Sequence, residues 1–272
     1  MGRRQPEGPP PPPVVQRVRV HYAKRGRLRF TSHRDFARSL ERALRRADVP
    51  IAYSAGFSPH PRISYVGAAP TGVSSEAEYL ELALSAEVVP AELARALDAA
   101  LPDGLDVVEV VTAGPGSLAE RMQASVWRIE IDGTAAPGTG SSGIPDAVAA
   151  FLSMDSVPVE RLTKDGRRAI DARAPVESLQ VSSDPQNTDR AILVVVVRQV
   201  TPTVRPDDVL AGLRSVSAMS PSAPTRATRL AQGPLEADGT VGDPLAADRC
   251  SLPATTSPAL ADRVSSSPMH SH

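Results

Sequence analysis

The sequence predicts an α+β protein made of two ferredoxin-like (βαββαβ) halves, with antiparallel sheets, helices on one face and disordered tails. Two patterns support this prediction. Runs in which apolar residues alternate, as in half-buried strands, are separated by runs in which they recur every three or four residues, as in helices. The order of these runs in the first half returns, less clearly, in the second. We place the halves at residues 14–113 and 124–216.

The first half begins with a strand and an amphipathic helix. Apolar and polar residues alternate over 14–22, and a basic turn that contains a glycine follows. Ser32 is a suitable N-cap for a helix over 33–47, with Asp35 three residues further on. Pro50 ends this helix. Its apolar stripe consists of Phe36, Leu40 and Leu44, flanked by alanines.

Three further strands and a second helix complete the first half. A short strand that ends before Pro70 and Gly72 is predicted at 63–69, and a strand at 76–85 is predicted from its alternating apolar residues. A helix over 90–101 has Pro90 in its first turn, where proline is tolerated. A strand at 105–111 follows, which gives the order β-α-β-β-α-β.

The second half follows a similar plan with less regular patterns. An Asp165-Gly166 pair favours a tight hairpin turn, and proline again stands in the first turn of both predicted helices. In order, we predict a strand at 125–133, a helix at 144–152, a hairpin over 157–176, a strand at 191–197 and a helix at 205–213.

Both ends of the chain are predicted to be disordered. Residues 1–13 form a proline-rich leader, and residues 217–272 are rich in Ser, Pro and Ala with few large apolar side chains. No run approaches the roughly 18 apolar residues of a membrane span, and no hydrophobic segment follows the leader arginines. The single cysteine, Cys250, excludes an internal disulfide and a cluster held by this chain's own thiolates. We therefore expect a cytoplasmic protein.

The charge is unevenly distributed along the chain. The net charge is −1, but residues 14–62 contain 12 Lys and Arg against 3 Asp and Glu, a local charge of +9. A basic segment on an otherwise acidic protein is typical of proteins that bind polyanions. The alternative is a basic helix face that is only solvated.

Arginines recur along one side of the first predicted helix. Arg34, Arg38, Arg42 and Arg45 are three or four residues apart, so they share a face. Guanidinium groups match phosphate oxygens, which makes this face a candidate phosphate-binding surface. Four basic residues in the preceding turn are expected to share it: Lys24, Arg25, Arg27 and Arg29.

The stretch SAGFSPHPRISY (54–65) follows that helix and combines aromatic, basic and proline residues. Prolines on both sides of His60 restrict its backbone, and aromatic rings can stack on nucleobases. We predict a stiff ligand platform formed by Tyr53, Phe57, His60, Arg62 and Tyr65. A structural joint whose aromatics fill the core, and a catalytic loop, are the alternatives.

No catalytic or metal-binding motif is present. His21, His33 and His60 lie in the basic segment but lack HxH or HxxxH spacing, so we expect no metal and no cofactor. A histidine is nevertheless chemically suited to acid–base cleavage of RNA. A metal-independent endoribonuclease using His33 or His60 therefore remains an alternative.

Several segments of the chain match the pattern of a known family. The most specific is RLRFTSHRDFARSLERALRRADVPIAYSAGFSPHPRISY (27–65), supported by TGVSSEAEYLELAL, LPDGLDV, KDGRRAIDARAPV, VRPDDVL and RATRL. These segments resemble the radical SAM-linked proteins, a bacterial family of unknown function. The arginine- and alanine-rich composition is similar to that of actinobacterial members. The resemblance implies a radical SAM partner encoded separately, because this chain has neither a radical SAM domain nor cluster-binding cysteines. It implies no catalytic residue.

Together these observations predict a non-catalytic RNA-binding accessory protein that acts with a separate radical SAM partner or near RNA processing. The alternatives are a protein–protein adaptor whose basic face docks on an acidic patch of a radical SAM enzyme, and the metal-independent endoribonuclease. No membrane association is expected.

Overall fold

The computed structural model describes residues 12–132, 143–163, 166–217 and 225–250. This part of the chain contains one eight-stranded sheet, one two-stranded sheet and six α-helices. The helices are α1 (His33–Arg46), α2 (Pro90–Ala100), α3 (Leu118–Arg121), α4 (Gly143–Ser153), α5 (Pro206–Val216) and α6 (Ala246–Arg249). A 3-10 turn, Gly26–Phe30, precedes α1.

The strands form a mostly antiparallel arrangement. They are β1 (Gln16–Lys24), β2 (Ile63–Val66), β3 (Ser74–Leu84), β4 (Leu105–Thr112), β5 (Ala124–Asp132), β6 (Pro158–Thr163), β7 (Gly166–Asp171), β8 (Val176–Asp184), β9 (Asn187–Arg198) and β10 (Arg226–Gly233). The large sheet has the order β4-β1-β3-β10-β5-β9-β8, with β2 also paired to β3, while β6 and β7 pair only with each other. The α+β prediction is confirmed.

Strand β10 joins the two halves of the large sheet. It runs parallel to β3, where Thr228 lies opposite Ser74, and antiparallel to β5. The sheet is therefore continuous across the boundary between the predicted halves. Two separate ferredoxin-like halves remain a prediction, and the β6–β7 hairpin has no place in a βαββαβ order.

Each half has its own apolar core between helices and sheet. In the first, Leu40 and Leu44 of α1 pack against alternate residues of β1 and β3. In the second, α4 and α5 pack on β5 and β9, and they approach so closely that a Cβ at Gly212 would lie 2.7 Å from the ring of Phe151. This contact explains the glycine in the middle of α5.

The start of α1 agrees with the sequence prediction. The Ser32 hydroxyl accepts a hydrogen bond from the Asp35 backbone N–H at 3.2 Å and donates to the Asp35 carboxylate at 2.7 Å. The stripe Phe36, Leu40 and Leu44 is buried, as its spacing predicts. Strand β8, in contrast, was not predicted as a strand of its own.

The predicted tail requires a correction. Residues 225–250, part of the segment 217–272 assigned as disordered, contain β10 and α6 and lie in the folded body. Their large apolar residues are few, but β10 pairs with strands on both sides, and polar side chains such as Arg229 and Gln232 are buried with partners. Residues 218–224 and 251–272, residues 1–11 of the leader and the hairpin turn 164–165 lie outside the described residues.

Among the described residues, the helices are too short or too polar to cross a membrane.

Candidate nucleic-acid interface

The outer side of α1 presents a row of exposed arginines. We call Arg34, Arg38, Arg42 and Arg45 the arginine face; at about 100° per residue they span roughly 80° of the helix surface. All four are exposed, on the side opposite the buried apolar stripe. The prediction that they share one face is thus consistent with the packing of α1.

The arginine face is largely free of acidic partners. Arg38 lies 3.9 Å from Asp35, and both side chains are more than half exposed, so this pair is weak. In the described part of the chain, the other three arginines have no carboxylate within 4 Å. The Arg42 guanidinium instead donates to the Ser39 hydroxyl at 3.1 Å. The face therefore keeps most of its positive charge available to an anion.

The stretch after α1 forms an ordered hairpin. The Ser54 N–H donates to the His60 carbonyl at 2.8 Å, and the His60 N–H donates to the Ser54 hydroxyl at 3.0 Å. Tyr53 forms a β-bridge with Pro61 just outside this pair. These contacts close the tip 55–59, where the Phe57 side chain is 74% exposed. We call residues 53–61 the Phe57 hairpin.

The Phe57 hairpin meets the C-terminal part of α1. A cavity of about 170 Å³ between them is lined by Glu41 and Arg45 of the helix and by Tyr53 and His60 of the hairpin. Tyr53 is 40% exposed. The structure thus brings one member of the arginine face together with two residues of the predicted platform. Arg62 follows the hairpin and is also exposed.

One basic residue of the predicted surface, Lys24, is not accessible to a ligand. Lys24 is buried and donates to the carbonyls of Ala69 at 3.3 Å and Pro70 at 3.2 Å. Burial lowers the pKa of Lys24, and Glu78 opposes that shift. Lys24 therefore belongs to the protein interior, because the loop after β2 covers it.

Arg25 is exposed but already paired. Its guanidinium binds the Glu76 carboxylate with Nε–O distances of 2.9 Å and reaches Asp106 at 2.7 Å. Two carboxylates thus balance its charge. Hydrogen bonding to Glu76 chiefly accounts for a pKa of Arg25 above its usual range. Arg25 therefore offers an anion less unbalanced charge than the arginines of α1.

Tyr65 is part of the packing under α1 and not an open platform. Its ring lies edge-on to His33 at 4.7 Å and to Phe36 at 6.0 Å between centroids. Burial, followed by the charge of Glu41, raises the pKa of Tyr65 to about 12. Tyr65 therefore fits the alternative in which aromatic residues fill the core. Phe57 is exposed and fits the predicted ligand platform.

The 3-10 turn before α1 holds the remaining predicted arginines. Arg27 is exposed, and the Arg29 guanidinium lies 4.6 Å from the ring centroid of Phe30. Phe30 is 59% exposed, and the sequence analysis did not select it as a site residue. Phe30 lies between Arg29 and the N-cap residue Ser32, and this position in the sequence was the signal that could have identified it.

The three histidines of the basic segment occupy separate places. His21 stacks on Tyr79 at 4.6 Å, and its ring nitrogen lies 2.7 Å from the Glu76 carbonyl. His33 contacts Tyr65, and His60 lies in the Phe57 hairpin. The described residues contain no group of three His, Cys, Asp or Glu side chains that could hold a metal ion.

Two buried ion-pair networks were missed by sequence reasoning. Asp248 accepts hydrogen bonds from Arg19 and Arg121, which are distant in sequence. Arg229 pairs with Glu78 and lies 5.4 Å from the ring of Trp127. All of these groups have partners within the chain, so we assign them to stability.

Comparisons with known proteins identify a family but no activity. No curated protein matches the chain. A structure of a Cbf5-Nop10-Gar1 complex aligns at 12% identity and a TM-score of 0.40, covering 82% of this chain and 54% of that chain, so the match spans about half of that protein. An encapsulated DyP-type peroxidase from Mycobacterium smegmatis aligns at 10% identity and a TM-score of 0.19, covering 82% and 94%. The model of a family described as "Uncharacterized protein conserved in bacteria (DUF2344)" matches residues 17–206, which is more than two thirds of the 272 residues, and the chain therefore belongs to this family.

Proposed function

We propose that this protein binds single-stranded RNA, without cleaving it, through the arginine face and the Phe57 hairpin. The main support is the arginine face itself. It consists of four exposed guanidinium groups in a row, three of them without a carboxylate within 4 Å in the described residues, and it borders an exposed aromatic hairpin.

The two parts of this surface suit two parts of a nucleic acid. Guanidinium groups bind phosphate oxygens and release counterions, which gives an affinity that falls with salt. Exposed rings such as Phe57 and Tyr53 can stack on bases whatever the sequence. A basic surface beside stacking residues is a common way to hold a single strand.

The separation of the histidines favours binding over cleavage. General acid–base cleavage needs groups placed within reach of one reacting bond. His21 stacks on Tyr79, the ring of His33 lies edge-on to Tyr65, and His60 lies in the Phe57 hairpin. An accessory role beside a separate radical SAM protein rests on the resemblance of residues 27–65 and is part of this proposal.

A salt series with a charge-reversal variant tests the proposal. We expect filter binding of single-stranded RNA to weaken with salt, and Arg34/Arg38/Arg42→Glu to reduce the slope of log affinity against log salt by about 2, at roughly 0.7 per phosphate contact. The matched control is Arg95/Arg168/Arg214→Glu, which changes the net charge equally at exposed sites elsewhere. Its slope should stay close to that of the wild type.

Three results would count against RNA binding at this surface. One is an affinity that does not depend on salt. Another is an equal loss in both triple variants, which would indicate only a general charge effect. The third is a partner protein that co-purifies after nuclease treatment and is lost in the Arg34/Arg38/Arg42→Glu variant, while no RNA binds; that outcome would favour the adaptor.

A further inference from the structure

A second cavity lies just before α1, where the 3-10 turn meets the centre of the large sheet. Its volume is about 290 Å³, near the lower end of the range for small-ligand sites. Its lining includes Arg29, Phe30, Ser74, Arg226 and Thr228. The cavity is therefore built by four elements that are distant in sequence: the 3-10 turn, the start of β3, the end of β5 and the start of β10.

Phe30 gives this cavity an exposed aromatic wall. Phe30 is 59% exposed, and the Arg29 guanidinium lies 4.6 Å from its ring centroid. The Gly72 N–H donates to the Arg29 carbonyl at 2.8 Å, which fixes the turn against the loop before β3. The backbone that carries Phe30 is thus fixed, and part of the surface of its ring is open to a planar ligand.

The remaining lining of the cavity is mostly polar. Arg226 lies 3.4 Å from Glu130 and 3.1 Å from Asp132, so its charge is balanced. Ser74 and Thr228 place hydroxyl-bearing side chains at the same cavity. An aromatic ring beside hydroxyls and the paired charges of Arg226 suits a planar, hydrogen-bonding group.

The position of the cavity links it to the arginine face. Phe30 is four residues before Arg34, so their Cα atoms are at most about 15 Å apart. Helix α1, with 14 residues, is about 21 Å long. Because the Phe57 hairpin meets the helix near Arg45, the two exposed phenylalanines lie towards opposite ends of the arginine face.

We propose that this cavity takes one nucleobase of a bound RNA strand, stacked on Phe30, and that the strand follows α1 between Phe30 and the Phe57 hairpin. This inference rests on the proposed function and adds a specific contact to it. The arginine face holds phosphates, while the cavity holds a base.

The test compares RNA with a polyanion that has no bases. The probes are an oligoadenylate of about 12 nucleotides, within the range of single-strand site sizes, and inorganic polyphosphate. Phe30→Ala should weaken oligoadenylate binding roughly 5- to 150-fold, as expected for the loss of one stacked base. The same variant should bind polyphosphate like the wild type, and its salt slope should not change.

Two variants check that the effect comes from stacking. Phe30→Tyr keeps an aromatic ring and should retain wild-type affinity. Leu162→Ala removes an apolar side chain that is 81% exposed on the separate β6–β7 hairpin, and it should have no effect. In Phe30→Trp, oligoadenylate should quench the fluorescence of the introduced indole, and polyphosphate should not. Circular dichroism checks that each variant is folded.

The outcomes separate this inference from the proposed function. If the wild type binds oligoadenylate and Phe30→Ala binds it equally well, the base site is wrong and the RNA-binding proposal stands. An equal loss for RNA and polyphosphate in Phe30→Ala, or a comparable loss in Leu162→Ala, also overturns the base site. If the wild type does not bind oligoadenylate, both proposals fail together.

Discussion

Asp248 is the residue on which one buried ion-pair network depends. Its carboxylate accepts hydrogen bonds from Arg19 at 2.7 and 2.8 Å, from Arg121 at 2.8 Å and from the Gly114 N–H at 2.9 Å. Arg19 and Asp248 are both buried, so neither can be solvated instead. A single carboxylate of the segment 225–250 thus pairs with two arginines that lie 229 and 127 residues earlier in the chain.

We predict that Asp248→Ala lowers the free energy of unfolding by about 3 to 5 kcal/mol, because Arg19 would remain buried without its main partner. The control is Glu160→Ala, which removes an exposed partner of Arg167 and should cost less than about 1 kcal/mol. Urea unfolding at neutral pH measures both. Equal costs in the two variants would contradict this account.

The pH dependence supplies a second check on Asp248. Burial alone would raise the pKa of Asp248, but hydrogen bonds from Arg121 and Arg19 outweigh it and hold the pKa below its usual range. The folded pKa is thus lower than the unfolded value of about 3.9. The contribution is complete above that value and is lost as the pH falls through the folded pKa, so the wild type and Asp248→Ala should converge in acid.

At the scale of elements, the end of β10 lies in close contact with the segment that contains Gly242 and Pro244. Gly233 ends the strand, and a Cβ at this position would lie 2.1 Å from the Gly242 carbonyl oxygen and 3.1 Å from Pro244. The neighbouring backbone is fixed by a hydrogen bond from the Gly242 N–H to the Pro234 carbonyl at 2.8 Å. A side chain at Gly233 can therefore be accepted only by moving backbone.

We predict that Gly233→Ala destabilises the protein by about 1 to 3 kcal/mol, in line with the cost of overpacking. Gly143→Ala is the matched control, because a Cβ there meets no atom within 4 Å. Thermal unfolding compares them: the Gly143 variant should melt at or above the wild-type temperature. A wild-type melting temperature for Gly233→Ala would show that the 233–242 contact can relax.

Elements with local signals were predictable, and those that depend on distant partners were not. The cap and the apolar stripe of α1 lie within 16 consecutive residues, 32 to 47, so the local sequence is enough to predict this helix. Strand β10 contains buried Arg229 and Gln232, whose partners lie about 150 residues away in the sequence. Because those partners are not visible locally, the polar composition of the segment was interpreted as disorder. The same reason explains Lys24: its exposure could not be judged without the loop that covers it.

The candidate site was predictable to a similar extent. The spacing of the arginines predicted the arginine face, and the histidine flanked by prolines pointed to the Phe57 hairpin. The sequence did not show the ion pairs of Arg25 or the cavity beside Phe30. Both involve residues from β3, β4 and β10, whose positions follow from the sheet order. That order is set by long-range pairing and is not visible in local patterns.

On the scale of the whole molecule, the sheet depends on its last strand. Strand β10 lies between β3 and β5, and without it the two halves would each expose an unpaired edge in the middle of the sheet. The family match ends at residue 206 and the predicted second half at 216, so a fragment designed on either boundary lacks β10 and α6.

We predict that the fragment 12–216 aggregates or fails to give a cooperative unfolding transition, because it loses both the strand and the partner of Arg19. Size-exclusion chromatography and thermal melting of the fragment and the full chain measure this. Co-expression of residues 217–272 as a separate chain should restore a monodisperse complex. A soluble fragment that melts like the full chain would show that the halves are independent.

The central position of β10 also bears on synthesis of the protein. A chain emerges from the ribosome with its N-terminal part first, and domains tend to fold as they appear. Here β3 and β5 are made long before β10, which pairs with both. The inner edges of β3 and β5 therefore stay unpaired until β10 has been synthesised and pairs with both strands.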